Sequence, residues 1–131
     1  MQIVVSANGP DLDASISPVF GRCAMFLFVD SETLACREVP NPAISAPGGA
    51  GVQAAQYIVD QGAEALISGN VGPNAFAVFR AAGLPVYAHT EGTIRQAVEA
   101  LAEGRLTPVE GATGPSHVGT ARGGGGRGRA R

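Results

Sequence analysis

Glycine, arginine, cysteine and histidine at the ends of short apolar runs are the residues of this chain that could do chemistry. One such place is Gly69-Asn70-Val71-Gly72-Pro73-Asn74, between the apolar run Ala65 to Ser68 and the periodic stretch Ala75 to Gly83. Free N–H groups at a helix start attract anions, and glycine lets a ligand approach the backbone closely. The same pattern also serves as a plain βα turn, so this loop alone leaves both readings open. Pro47-Gly48-Gly49-Ala50-Gly51 opens another helical stretch, and Phe20-Gly21-Arg22-Cys23 and His89 stand at further run ends. An arginine fork holds carboxylates and other anions; the plainer reading pairs Arg22 with Asp11 or Asp13. Cys23 offers a thiolate for iron if positive surroundings lower its pKa, or else a small buried apolar side chain. His89 is either a metal ligand or a solvated loop residue. Cys36 falls mid-strand and reads as structural or exposed, and His117 is a weaker ligand candidate near the C-terminus.

Spacing excludes several chemistries. Cys23 and Cys36 form no CxxC pair, and neither histidine stands at i+3 or i+4 to another ligand type, so a structural zinc site is not expected. A two-metal nuclease needs carboxylates converging on central strands. Gln2 to Ser6 and Ala65 to Ser68 carry none, and Glu38 is alone on its strand. No Ser-His-Asp or Cys-His pattern suggests covalent catalysis, and no GxxxxGK[ST] is present.

The elements that must position these residues read as follows. Gln2 to Ser6 is a buried first strand, followed by a turn-rich loop from Ala7 to Phe20 that begins Asn8-Gly9-Pro10. Met25 to Asp30 and Leu34 to Val39 are second and third strands joined by a hairpin turn, Asp30-Ser31-Glu32-Thr33. A helix runs from about Gly51 to Gln61, with Val52, Ala55, Ile58 and Val59 inward and Gly62 as its stop. Ala65 to Ala88 is a β-α-β unit whose helix carries Phe76, Phe79 and Ala82 on one face. Pro73 suits its first position and Gly83 its left-handed close. Thr93 and Gln96 fit a capping box on a last helix with Ile94, Ala97, Val98 and Leu101 as its stripe and Gly104 as its end.

This order predicts a mixed five-stranded sheet in a three-layer α/β/α fold, with strand two antiparallel and helices on both faces. If strand one runs upward, every chemistry-bearing loop falls at one sheet edge: Asn8 after strand one, Phe20 to Cys23 before strand two, and Gly48 to Gly51 after strand three. The Gly69 to Asn74 loop and His89 follow strands four and five. Ligands of α/β sheets bind outside the carboxyl ends of the strands, and this convergence selects the binding-site reading over the plain turn.

Charge divides the chain. All nine bases are arginine. Residues 1–121 hold five of them against all eleven acids, a formal net of −6, whereas residues 122–131 hold Arg122, Arg127, Arg129 and Arg131, a net of +4. Periodicity vanishes from Thr107, where Gly, Pro, Ser and Arg dominate, so the expected division is a domain over residues 1–106 and a disordered Gly/Arg-rich tail over 107–131. No signal peptide or membrane-length apolar run is seen, and the expected compartment is the cytoplasm.

Ser17-Pro18-Val19-Phe20-Gly21-Arg22-Cys23, Gly48-Gly49-Ala50-Gly51 and Ser68-Gly69-Asn70-Val71-Gly72-Pro73-Asn74-Ala75 resemble the dinitrogenase iron–molybdenum cofactor biosynthesis family. Ala82 to Tyr87 and Gly92-Thr93 continue the likeness, which covers roughly residues 1–106. The family includes NifX-type nitrogenase accessory proteins and the C-terminal domain of NifB. The resemblance implies a ribonuclease H-like fold and non-catalytic binding and carriage of an iron–sulfur or iron–molybdenum type cluster or its precursor. It implies metallocluster donor and acceptor proteins as partners, with no membrane. The expected binding residues are Asn8, Phe20, Gly21, Arg22, Cys23, Gly49, Gly51, Gly69, Asn70, Gly72 and Asn74, with Cys23 and His89 as metal ligands. Phe20 is expected to line the cluster-facing side of its loop. The alternative is a small-anion or nucleic-acid binding module that uses the glycine loops and the Arg/Gly tail. Four arginines without aromatics make a small footprint on nucleic acid, and the acidic body repels phosphate, so that partner is ranked below a cluster.

Overall fold

The computed structural model describes residues 1–46 and 48–111. The elements are β1 (Gln2–Ala7), β2 (Met25–Asp30), β3 (Cys36–Pro40), α1 (Ala50–Asp60), β4 (Ala65–Ser68), α2 (Pro73–Ala82), β5 (Val86–Ala88) and α3 (Ile94–Ala102). The strands form one sheet in the order β3-β2-β1-β4-β5. β2 is antiparallel to β1 and β3, whereas β4 is parallel to β1 and β5 to β4. This is the mixed sheet expected from the order of elements, with the helices that connect parallel strands serving as crossovers.

β1 lies at the centre, which is why it reads as a continuous apolar run. Val4 packs on the side of α1 and α2 with Ile58 and Phe79, whereas Ile3 and Val5 pack on the side of α3 with Ile94 and Val98. Alternate residues therefore feed two separate cores, and the three layers follow. Burying a side chain such as Phe79 or Ile94 stabilises the fold by roughly 1.5–3 kcal/mol.

Three details differ from the periodicity reading. The third strand begins at Cys36 rather than Leu34. Asp30 Oδ1 accepts the N–H groups of Glu32 and Thr33, which holds the turn and lowers the Asp30 pKa, and Leu34 has a left-handed φ of 63° that no strand continues. On α1 the buried arc is Ala50, Ala54, Ala55 and Ile58, and Val52 turns outward at 38% exposure. At 100° per residue, Val52 lies far round from the Ala50–Ala54–Ile58 line. On α2 the buried residues are Ala75 and Phe79, with Phe76 half-buried and Ala82 exposed.

The helix ends follow their chemistry. Pro73 stands at the start of α2 and Gly83 closes it with φ 72°. Thr93 and Gln96 form the reciprocal capping box of α3, a device worth about 1 kcal/mol. Beyond α3 the chain stays on the body: Val109 N–H donates to the Val86 carbonyl at 2.8 Å, and Arg80 donates to the Glu110 carbonyl at 2.7 Å. The arginine-bearing residues 122–131 and His117 lie outside the described residues. Among the described residues no helix is long and apolar enough to cross a membrane.

Candidate functional site

At the carboxyl ends of β1 and β4, polar side chains are fully buried. The Ser6 and Ser68 hydroxyls share a hydrogen bond of 2.7 Å, and Ser6 Oγ also lies 3.2 Å from the Ser17 carbonyl. Ser17 N–H donates to the Ser6 carbonyl at 2.8 Å, so the incoming loop is laid directly across these strand ends. It then runs beside the end of β4: Gly69 and Asn70 N–H groups donate to the Ser17 and Pro18 carbonyls, and Phe20 N–H donates to Asn70. A Cβ at Gly69 would collide with the Pro18 backbone, so only glycine admits this approach. The Gly69 and Asn70 N–H groups are thus spent inside the fold.

The Phe20 to Cys23 segment is fixed from below. The Phe20 ring is 1% exposed and packs at 5.5 Å from the Phe26 ring and 5.3 Å, edge-on, from Phe79. It belongs to the core cluster and also borders the site from beneath; ring pairing adds to the benefit of burial there. Gly21 lies against the first turn of α1, where an added Cβ would stand 3.0 Å from Gly51 Cα. Asn41, 3% exposed, donates through Nδ2 to the Gly21 carbonyl at 3.1 Å and the Cys23 carbonyl at 3.0 Å. Its Oδ1 accepts from Ala43 N–H at 2.9 Å. Arg22 Nη1 donates to the Ile44 and Ala46 carbonyls, each at 3.1 Å, so the two loops hold each other.

Between them and the helices lies a cavity of about 350 Å³. Phe20, Gly21 and Arg22 form one wall, Gly49 to Val52 another, and Gly72 to Ala75 the third. The starts of α1 and α2 meet here. Neither carries a side-chain cap or an acidic residue in its first turn. First-turn N–H groups have no partner within a helix, and Pro73 has none to offer, which leaves those at the start of α1 and of Asn74 and Ala75 without an intrahelical acceptor. Among the described residues of the lining, Arg22 supplies the one formal charge. On an acidic body, these helix starts and Arg22 are the local groups that favour an anion.

Seven of the expected residues are brought together here: Phe20, Gly21, Arg22, Gly49, Gly51, Gly72 and Asn74. Gly69, Asn70 and His89 line a separate groove of about 330 Å³ with Thr90 and Glu91. Asn8 lines neither; its Nδ2 donates to Ser15 Oγ at 2.8 Å and the Ile16 carbonyl at 3.3 Å, tying its own loop. Cys23 is 4% exposed, and burial pushes its thiol up to about 12. The thiol side chain therefore sits in the core cluster, protonated at neutral pH. Cys23 and His89 occupy different surroundings, and among the described residues no group of three or more His, Cys, Asp or Glu could hold a metal ion. Cys36 is exposed at the first position of β3. Sequence reasoning missed Val52 and Ala75 in the lining, Asn41 bonded to the Gly21 and Cys23 carbonyls, and the buried Ser6–Ser68 pair at the strand ends. The one signal available was Pro40-Asn41-Pro42, where asparagine between prolines marks a fixed turn.

The fold and cavity define an α/β/α domain with an anion-suited site at its strand ends. The chain matches the family described as dinitrogenase iron-molybdenum cofactor over residues 1–104, and it belongs to that family. It is 33% identical over 98 residues to an uncharacterized protein of Methanocaldococcus jannaschii, covering 72% of this chain and 83% of that one. Among solved structures it is similar to the apo form of the orange protein of Desulfovibrio gigas, with TM-score 0.82 and 39% identity over 86% of this chain and 96% of that one. It is also similar to a putative NifB protein of Thermotoga, with TM-score 0.73 and 35% identity over 87% of this chain and 97% of that one.

Proposed function

We propose that this protein binds and carries an iron–sulfur or iron–molybdenum type cluster, or its precursor, without turning it over. The observation that carries the reading is the meeting of two uncapped helix starts and Arg22 around one cavity, with no carboxylate among the described residues of its lining. A sulfide-rich anionic cluster is the cargo. Backbone N–H groups and the Arg22 guanidinium receive its negative charge, and the apolar floor over Phe20 accommodates its polarizable sulfides. Membership of the cofactor family supports this cargo over other anions. Holding by hydrogen bonds rather than covalent ligands suits reversible transfer between donor and acceptor proteins, and the cytoplasm, where thiols stay reduced, suits such handling. The lining described here holds no histidine, carboxylate or thiol to move a proton, which favours carriage over catalysis.

The test is anaerobic reconstitution with iron, sulfide and molybdate, followed by gel filtration, metal and sulfide counting per chain and an absorption spectrum. Retained cluster with charge-transfer absorption is expected for the wild type, and depleted retention for Arg22→Ala. A wild-type protein that retains no iron, molybdenum or sulfide overturns the carrier reading and leaves the small-anion reading in its place.

A further inference from the structure

After α3 the chain crosses from one core to the other. Gly104 closes α3 with φ 76°, and Arg105 N–H donates to the Ala100 carbonyl at 2.8 Å, which fixes where the segment departs. Leu106 packs, half-buried, against the core on the α3 side. Three residues later Val109 packs, also half-buried, against the core on the side of α1 and α2. Thr107 and Pro108 between them are exposed. The far end is held by two hydrogen bonds: Val109 N–H donates to the Val86 carbonyl of β5, and Arg80 Nη2 of α2 donates to the Glu110 carbonyl. The Arg80 guanidinium also lies 5.3 Å from the centre of the Phe76 ring, one turn earlier on α2. Among the described residues Arg80 makes no ion pair. A cavity of about 620 Å³ is lined by Phe76, Arg80, Leu84 and Val86 of the body and by Val109 and Glu110 of the segment. Residues 106–111 therefore form a strap that bridges a space rather than filling it.

We propose that this strap is a latched conformational device: it lifts from the body as a unit while the sheet stays folded, and Arg80 is its latch. Lifting costs two hydrogen bonds and the burial of two half-covered side chains, far less than opening either core, so it belongs to the low-stability end of the molecule's motions. Arg80 is suited to the latch. The Phe76 face orients its guanidinium from within the same helix, so less side-chain freedom is lost when it takes the Glu110 carbonyl. Release has a definite consequence. With the strap closed, the chain leaves the body at α2, on the side of the sheet where α1 and α2 also line the candidate cavity. With the strap open, it leaves at Arg105, at the end of α3 on the other face. The strap thus decides from which face of the sheet the arginine-bearing residues 122–131 depart, whatever the cavity carries.

The experiment is residue-resolved amide hydrogen exchange on the full 131-residue chain in a series of low urea concentrations. The Val109 amide reports the strap, and the buried Leu66 amide, which donates to the Pro85 carbonyl, reports the body. In the wild type Val109 should exchange at least about ten-fold slower than an unstructured amide, yet at least about a hundred-fold faster than Leu66. Its rate should stay flat in low urea, where that of Leu66 climbs. Arg80→Ala should speed Val109 at least about five-fold and leave Leu66 unchanged. Arg80→Lys, which keeps a charged donor without the planar fork, should fall between the two. A Val109 amide that shares the rate and urea slope of Leu66 overturns the proposal, because the strap then opens only with the whole domain. An unprotected Val109 in the wild type overturns it, because the strap is then never closed. Equal Val109 rates in the wild type and Arg80→Ala overturn it, because the strap is then held without the latch.

Discussion

Asn41 grips the backbone on both sides of Arg22: its Nδ2 lies 3.1 Å from the Gly21 carbonyl and 3.0 Å from the Cys23 carbonyl. Both acceptors need a donor, and both bonds come from one buried amide. In Asn41→Asp the amide donor is lost and a carboxylate faces two carbonyl oxygens. Leaving buried polar groups unsatisfied costs about 1–3 kcal/mol each. Asn41→Asp should lower the denaturant midpoint by the equivalent of at least about 2 kcal/mol, with Asn41→Ala less harmful because no charge is buried. A midpoint unchanged in both variants would show that Arg22 is held without this clamp.

Arg22 and Cys23 are neighbours in sequence with opposite environments. The guanidinium lines the cavity, and the thiol is enclosed in the core. Arg22→Ala should weaken cluster or tetrathiomolybdate binding by about 1.5–3 kcal/mol, roughly ten- to 150-fold. Cys23→Ser should leave affinity within about three-fold and act on stability instead, since it buries a hydroxyl in an apolar site. Cys36→Ser should change neither. Iron and sulfide counting on the three variants checks the order, and loss of the cluster in Cys23→Ser alone would assign the bond to the thiolate.

The Cys23 thiol also ties stability to pH. Its folded pKa, raised by burial to about 12, stands above the ordinary 9.0. The folded state therefore holds this proton more tightly than the unfolded chain. That contribution is fully present below pH 9 and is lost as pH rises through the folded value near 12. Denaturant titrations across this window should show a steeper decline for wild type than for Cys23→Ala. At neutral pH, iodoacetamide should label Cys36 at least about a hundred-fold faster than Cys23, because only exposed thiolate reacts. Equal labelling of both cysteines would contradict the burial.

Two glycines separate fold from site. A Cβ at Gly69 meets the Pro18 backbone, whereas one at Gly72 meets nothing within 4 Å, and Gly72 has an ordinary extended conformation. Gly69→Ala should cost several kcal/mol, on the order of the severe end of single substitutions. Gly72→Ala should cost less than about 0.5 kcal/mol, typical of an open surface position. Thermal melts of the two variants decide the contrast. A well-folded Gly69→Ala protein would mean that the Ser17 to Phe20 segment is free to move away from β4.

The elements were legible because their periodicity and end signals agree. Gln2 to Ser6 reads as a buried strand because helices cover both its faces, and Thr93 with Gln96 announces the start of α3 by a local rule. The site was legible as an edge rather than as a cavity. Strand directions put every glycine loop at the carboxyl ends, but only the tertiary path decides which N–H groups remain available. Gly69 and Asn70 spend theirs on Ser17 and Pro18, carbonyls more than fifty residues away, and no local pattern shows that. The depth of Cys23 was open for the same reason. Asn41 escaped notice because a clamp has no spacing signature: its targets, Gly21 and Cys23, lie about twenty residues earlier. Val52 reads as inward because it is apolar, and its outward turn follows from the phase set by Ala50, Ala54 and Ile58.

The short segment after α3 gives the sheet a finished border. β5 is the last strand, and the Val109 N–H bond to Val86 shields one of the carbonyls it would otherwise present to solvent. An unpaired border invites other chains to add strands to it. At the opposite border, the exposed strand β3 carries Arg37, over the Phe28 ring, and Glu38 on alternate faces, charges that discourage such addition. One border is thus sealed by the chain's own continuation and the other by charge. A protein shortened to residue 106 would lose the first seal and become prone to self-templated stacking, while one shortened to residue 111 would keep it.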